Sequence, residues 1–236
     1  VETRLHNMES GTIMKKVAYV VGGGPSLLGF NFARLYGKDV IAVNQAIFNV
    51  PTAKAFVTMD YTFMRKSNIQ GGGLVKGPKW QYFTSIPAKK YFVIGIPIQD
   101  RQKISADHYV DLAHNLHYRL GLFDHVVEVG GYGGIGTDFN DFHCGSESGY
   151  SGLQLAVVLG YTEIHLLGFD FYCNGKQTHF HNQYPLLPDY QTKLDSYCPV
   201  YETAAQRLRE MNIDLYSHSE HSQLNKWIPY MPLETL

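Results

Sequence analysis

The sequence predicts an α/β fold in which one mostly parallel sheet is covered by helices on both faces. Three observations carry that prediction. Short runs of continuous apolar and β-branched residues recur at Lys16-Val17-Ala18-Tyr19-Val20-Val21, Asp39-Val40-Ile41-Ala42-Val43, Ala55-Phe56-Val57-Thr58-Met59 and Glu163-Ile164-His165-Leu166-Leu167, the pattern of strands buried on both sides. Each run is closed by a glycine, asparagine or aspartate at 22, 44, 60 or 168. Helical patterns with good terminal residues stand at 148–159 and 199–211. The chain has 236 residues, enough for one α/β domain with a full core.

Composition narrows the class of function. Hydrophobic residues make up 44%, charged residues 17%, and the formal net charge is -1, so no global field draws the protein to nucleic acid or an anionic membrane. Seventeen Tyr and 13 Phe supply both core and amphipathic contact surface. Cys144, Cys173 and Cys198 are odd in number and show no Cys-x-x-Cys spacing, which suits a reducing cytoplasm and not a disulfide framework or a structural zinc site. No apolar run approaches the roughly 18–20 residues of a transmembrane helix. Residues 1–10 lack an apolar signal core, and residues 1–13 are expected to form a flexible extension before a single domain at 14–236. A cytoplasmic location is expected.

In order along the chain, the first strand runs into Gly22-Gly23-Gly24-Pro25-Ser26-Leu27. Glycines allow close approach of the backbone to a ligand, and the proline and serine are placed to start a helix whose dipole favours an anion. The bare alternative is a tight turn. Apolar residues at 27, 28, 30, 32 and 35 predict a short, irregular helix ending at Gly37. Two further strands end at Asn44 and Asp60. Gln70-Gly71-Gly72-Gly73 reads as a turn, Trp80-Gln81-Tyr82-Phe83-Thr84 and Tyr91-Phe92-Val93-Ile94 as strands, and 108–120 as a helix. Gly130-Gly131-Tyr132-Gly133-Gly134-Ile135-Gly136 follows a strand at 126–129 and is either a phosphate loop or, as favoured here, a mobile linker.

Ser148 is expected to cap the helix that ends at Gly160, with Gly149, Gly152 and Ala156 on one face for close packing. The next strand ends at Gly168-Phe169-Asp170-Phe171-Tyr172. Residues 173–197, polar, aromatic and interrupted by proline, read as a lid. The helix at 199–211 turns Val200, Ala204, Ala205 and Leu208 inward and Arg207 and Arg209 outward. A short strand at 213–216 and a packed tail through Trp227 close the chain. In parallel sheets ligands bind beyond the carboxyl ends of the strands. Gly22 to Pro25, Asn44, Asp60 and Asp170 share that edge.

Three blocks in order, Gly22-Gly23-Gly24-Pro25-Ser26-Leu27, Val43-Asn44-Gln45, and Ser148-Gly149 through Gly168-Phe169-Asp170-Phe171-Tyr172, resemble the family 42 bacterial sialyltransferases. They also resemble the wider 6-hydroxymethylpterin diphosphokinase (MptE-like) family, which includes the Maf flagellin glycosyltransferases and phage-type members, the latter being most similar around Gly22–Leu35 and Thr178-His179-Phe180-His181. The resemblance implies a Rossmann-like, sialyltransferase-like fold (a GT-A variant) and a CMP-sugar donor needing no further cofactor. It also implies that Gly22 and Gly24 pass close to the nucleotide, that Asn44 bonds the donor, that Ser148 and Gly149 meet phosphate or carboxylate, and that Tyr172 meets phosphate. Two departures stand out: the family carries Asn where this chain has Gly23, and no histidine stands near Asp195-Ser196, where the family's catalytic one would fall.

His179 and His181 are therefore the candidate general bases, since imidazole titrates near neutral pH. Alternate residues of an extended segment also share a side, so the alternatives are a shared metal site or an exposed pair with neither role. Asp170 is the third candidate catalytic residue. Asp60 and Asp170 are the candidate ligands of a bridging cation, and Asp170 alternatively caps the glycine loop. Gly23, Pro25 and Ser26 complete the expected donor loop. Cys144 is read as buried and inert over reactive; Tyr150 and Tyr172 either stack on a base or sugar or pack the core. The leading expectation is a transferase using a nucleotide-activated sugar of CMP type. A Mg²⁺- and ATP-dependent pyrophosphokinase acting on a hydroxymethyl pterin or nucleobase is the second, and a non-catalytic nucleotide-binding module the third. The acceptor is not specified, and self-association is left open.

Overall fold

The structure, a computed structural model, describes residues 14–60, 78–95, 122–173, 177–181 and 189–236. Among these residues seven strands form one sheet in the order β5-β4-β3-β2-β1-β6-β7. They are β1 (Val17–Val21), β2 (Val40–Val43), β3 (Ala55–Thr58), β4 (Lys89–Ile94), β5 (His125–Glu128), β6 (Glu163–Leu167) and β7 (Asp214–Ser217). Every pairing is parallel. The chain walks outward from β1 to β5, then returns to place β6 on the other side of β1. That reversal makes the β1/β6 boundary a topological switch point, the usual ligand crevice of a Rossmann-like sheet. The register pairs Val21 with both Ala42 and Leu167, and Val43 with Val57, so the loops after these strands leave the sheet at nearly one level.

Both faces are covered, by different means. Helices α2 (Ser148–Val158) and α4 (Pro199–Glu210) lie on one face, where Leu153, Ala156, Tyr201, Ala204 and Leu208 pack with Ala18, Val20, Ile41, Val57 and Ile164. Gly152 allows α2 to sit this close: a Cβ there would come within 2.8 Å of Val20 Cγ1 and 2.9 Å of Val43 Cγ2. The opposite face is covered by α1 (Pro78–Ser85) and by 3₁₀ turns, which place Leu35, Ile47 and Phe83 against Val21, Ala42, Phe56 and Phe92. A fourth helix, α3 (Tyr190–Tyr197), precedes α4. The tail folds back as expected, with Ser217 bridged to Tyr230 and Ile228 buried.

Several expectations are corrected. The aromatic run at 80–84 is part of α1 and not a strand; Phe83 and Ile86 are buried while residues 81, 82, 84 and 85 are exposed, the one-sided burial of a helix. The predicted helix at 27–35 is two short 3₁₀ turns, Pro25–Leu27 and Phe32–Leu35. Gly29 at φ 76° breaks the run, and Leu28 is 65% exposed. The Gly130 to Gly136 stretch is pinned to α2 and is no free linker: Gly136 N donates to Gln154 Oε1 at 2.9 Å, Gln154 Nε2 to Gly136 O at 2.8 Å, and the Tyr150 hydroxyl to Gly134 O at 2.6 Å. Tyr150 is thereby a core residue. Cys144 is buried, and that burial raises its thiol pKa, in keeping with an inert cysteine. The turn at 70–73, the helix at 108–120 and residues 1–13 lie outside the described residues. So do 174–176 and 182–188 of the expected lid, whose C-terminal end is α3. Among the described residues no helix is long and apolar enough to cross a membrane.

Candidate functional site

A cleft of about 540 Å³ opens at the carboxyl ends of β1, β2, β3 and β6. Gly22, Gly23, Gly24, Pro25, Asn44, Asp60, Ser148, Gly149, Asp170, Tyr172, His179 and His181 all line it, and Ser26 does not. Residues singled out from six separate stretches of sequence thus share one cavity. Backbone strain gathers there too. Of the four non-glycine residues with positive φ among those described, Asn44 (51°), Ser146 (65°) and Phe171 (48°) line the cleft. Such conformations persist where the surroundings enforce them, often at functional sites.

The glycine loop is built by the strands beside it. Gly22 N donates to Leu167 O and Gly24 N to Gly168 O, each at 2.8 Å, which zips the loops after β1 and β6 together. Side chains are excluded at all three glycines for separate reasons. A Cβ on Gly22 would stand 2.8 Å from Gly168 O, one on Gly23 2.7 Å from His179 Cδ2, and one on Gly24 would overlap the Asp170 carboxylate. The expected helix dipole is missing here, because Pro25–Leu27 is a single 3₁₀ turn. Ser26 turns inward: its N and Oγ donate to Asp170 Oδ1 and Oδ2 at 3.3 and 3.0 Å, and its Oγ lies 3.0 Å from Ser219 Oγ. Asp170 therefore clasps the loop. Its burial pushes the carboxyl pKa up to about 6, against the stabilising bonds from Ser26.

On the other wall, the residue that caps α2 is Glu147, not Ser148. Its carboxylate accepts from Gly149 N and Tyr150 N and from the Tyr201 hydroxyl. Burial raises its pKa. Ser148, the first helical residue, accepts from Met59 N at 3.2 Å through its Oγ. Asn44 Oδ1 accepts from Thr58 Oγ1 at 2.6 Å, and Asp60 N donates to the same Thr58 oxygen at 3.0 Å, tying the ends of β2 and β3. Tyr172 stands at the rim, 44% exposed.

The segment 177–181 docks on the glycine loop. Phe180 N donates to Gly23 O at 2.9 Å, and the Phe180 ring packs against Phe32, centroids 5.4 Å apart. With Phe180 anchored, His179 and His181 both point into the cleft and stack on each other at 5.0 Å, as alternate residues of an extended segment should. The Thr178 hydroxyl lies 2.8 Å from His179 Nδ1 and fixes the ring. No three His, Cys, Asp or Glu side chains among the described residues come together as metal ligands.

Four further lining residues escaped the sequence reading: Tyr190, Lys193, Leu194 and Tyr197 of α3. Their spacing of three, four and seven is one helical face, a signal present in the sequence within a stretch read as a lid. Gln191 and Asp195 hold the other side of α3. Gln191 Oε1 accepts from Cys173 N at 2.8 Å, and Asp195 Oδ1 accepts from Gln191 Nε2 at 2.7 Å and Gln223 Nε2 at 2.6 Å.

No protein-family model matches the chain, and no curated protein matches it. Solved structures do. A variant of the sialyltransferase CST-II in complex with CMP is 17% identical, with a TM-score of 0.46, over 92% of this chain and 87% of that one. The monofunctional alpha-2,3-sialyltransferase Cst-I from Campylobacter jejuni is 17% identical, with a TM-score of 0.41, over 96% and 84% of the two chains. At these values the likeness assigns no role to any residue, and the fold stands on its own strand order and register.

Proposed function

We propose that the protein is a transferase that binds a nucleotide-activated donor in the cleft at the β1/β6 switch point, a sialyltransferase-like glycosyltransferase with a CMP-type sugar donor. The observation that carries this reading is the docking of His179 onto Gly23. It sets a candidate general base on the floor of the cleft at the switch point, where a donor and an acceptor would meet. The motif resemblance to family 42 sialyltransferases, within the MptE-like group, supports the choice of donor.

In this reading the imidazole of His179 or His181 takes the proton of an acceptor hydroxyl. The freed oxygen attacks the anomeric carbon, the bond from that carbon to the phosphate oxygen breaks, and CMP leaves with the electron pair. Gly22 and Gly24 face the nucleotide and Asn44 orients the donor. The acid-rich lining of Asp60, Glu147 and Asp170 favours a second reading, a Mg²⁺- and ATP-dependent pyrophosphokinase. Both Asp170 oxygens already accept from Ser26, which weakens it.

Thermal shift with CMP, CDP, UDP, ATP and GTP, each with and without Mg²⁺, separates these readings, because a ligand that binds only the folded state raises its stability. Stabilisation by CMP without metal is expected. A shift with ATP that requires Mg²⁺ would establish the second reading, and no shift with any nucleotide would overturn both. A nucleotide shift without turnover of any CMP-sugar would leave a binding module.

A further inference from the structure

The main-chain groups that the sequence offers to an anion are largely engaged from within. Gly22 N and Gly24 N bond carbonyls of the neighbouring loop. Ser26 N bonds Asp170. At the start of α2 the amides of Gly149 and Tyr150 are taken by Glu147, so a phosphate brought there meets a carboxylate. Asp60, Glu147 and Asp170 all border the same cavity. An anionic ligand in such a cleft needs a cation.

Among the described lining residues, Lys193 is the only lysine or arginine. Its position is set by structure: the bonds of Gln191 and Asp195 to the Cys173 amide and to Gln223 hold α3 from behind. That fixes the face carrying Tyr190, Lys193 and Tyr197 toward the cavity. The Lys193 ammonium lies 6.0 Å from the Tyr197 ring centroid. An ammonium is a mobile point charge with three donors, suited to a phosphate oxygen. The two tyrosines add hydroxyl groups on the same face.

We propose that Lys193 binds the phosphate of the nucleotide donor, which is held on the α3 wall and not at the start of α2. This rests on the reading of the cleft as a nucleotide-donor site. Bound to that phosphate, the ammonium offsets the negative charge that the leaving oxygen gains as the sugar–phosphate bond breaks, which lowers the barrier. Lys193 is exposed, so its replacement leaves the core untouched.

Calorimetric titration of cytidine and of CMP, in EDTA and in Mg²⁺, into the wild type, Lys193→Ala and Lys193→Arg tests the assignment. The wild type is expected to prefer CMP to cytidine by roughly 10- to 100-fold, the range of a charged hydrogen bond, in EDTA as in Mg²⁺. Lys193→Ala should bind cytidine as the wild type does and lose most of the preference for CMP, and Lys193→Arg should restore most of it. Retention of the CMP preference in Lys193→Ala overturns the proposal. So does a wild-type preference that is absent, or that appears only with Mg²⁺. Binding of neither ligand by the wild type removes the donor reading itself, and the proposal with it.

Discussion

Replacing Asp170 by Asn should stabilise the protein at alkaline pH and cease to do so in acid. Asp170 is buried, 6% exposed, and its two oxygens accept from the backbone and hydroxyl of one residue, Ser26. Burial outweighs those bonds and raises the pKa from 3.8 to about 6. A carboxyl whose folded pKa lies above its unfolded value favours the fold in its protonated form. Its contribution is fully present below pH 3.8 and is lost as pH rises through about 6. The gap corresponds to roughly 3 kcal/mol. Asparagine keeps the geometry: its carbonyl accepts from Ser26 N, and its amide donates to Ser26 Oγ, which then donates to Ser219 Oγ. The variant should therefore exceed the wild type by up to about 3 kcal/mol at pH 8, less what the charge-assisted bonds from Ser26 were worth. That advantage should fall by about 2.5 kcal/mol on going to pH 4. Urea denaturation followed by circular dichroism at intervals from pH 8 to pH 4 measures it. A difference between the two proteins that does not change with pH would refute the reasoning, because it would mean that Asp170 titrates alike in the folded and unfolded chains.

His218 should contribute the opposite slope. It is buried beside His165, ring nitrogens 2.8 Å apart, with Glu163 3.0 Å beyond, and burial lowers its pKa from 6.5 to about 4. Its contribution is present above pH 6.5 and lost as pH falls toward 4, so His218→Gln should lose about 3 kcal/mol less than the wild type over that interval in the same denaturation series. Gly152→Ala drives a methyl into Val20 and Val43, and the melting temperature should drop by the equivalent of about 1–3 kcal/mol; an unchanged melting point would mean that α2 shifts freely on the sheet. Gly23→Ala meets the His179 ring on the cleft side. It should lower transfer activity by at least about tenfold, the factor for about 1.4 kcal/mol of barrier, while changing the unfolding free energy by less than about 1 kcal/mol. Full activity with an intact fold would remove His179 from the chemistry.

The parts of the fold legible in the sequence are those that one strand or helix decides by itself. Val20, Ile41, Val57 and Leu166 lie in strands whose uninterrupted apolar character already requires burial on both faces. The strand ends then follow, which is why Asn44, Asp60 and Asp170 could be placed on one edge without coordinates. Misreadings arose where local pattern and tertiary packing disagree. Trp80, Tyr82 and Phe83 have strand preference, yet the segment is helical because only the face carrying Phe83 and Ile86 finds a core to pack on. Glu147 displaced Ser148 as the cap because its longer side chain reaches two amides and a tyrosine hydroxyl that lies 54 positions away in the chain. Nothing near Glu147 in sequence announces Tyr201.

The glycine loop shows the same limit at the site itself. From sequence, three adjacent glycines mean room for a ligand. In the structure that room is already claimed by the Gly168 carbonyl at Gly22, the His179 ring at Gly23 and the Asp170 carboxylate at Gly24. Each lies more than 140 positions further along the chain, so no local pattern could reveal it. The glycines are therefore sockets for the protein's own groups, and a ligand meets the loop together with what is docked in it. The absence of a side chain at Gly23 follows from this: an asparagine there and an imidazole at His179 would compete for one space. The loop's geometry makes His179 and Asp170 part of the floor of the cleft, and the charge that a phosphate requires must come from the facing wall.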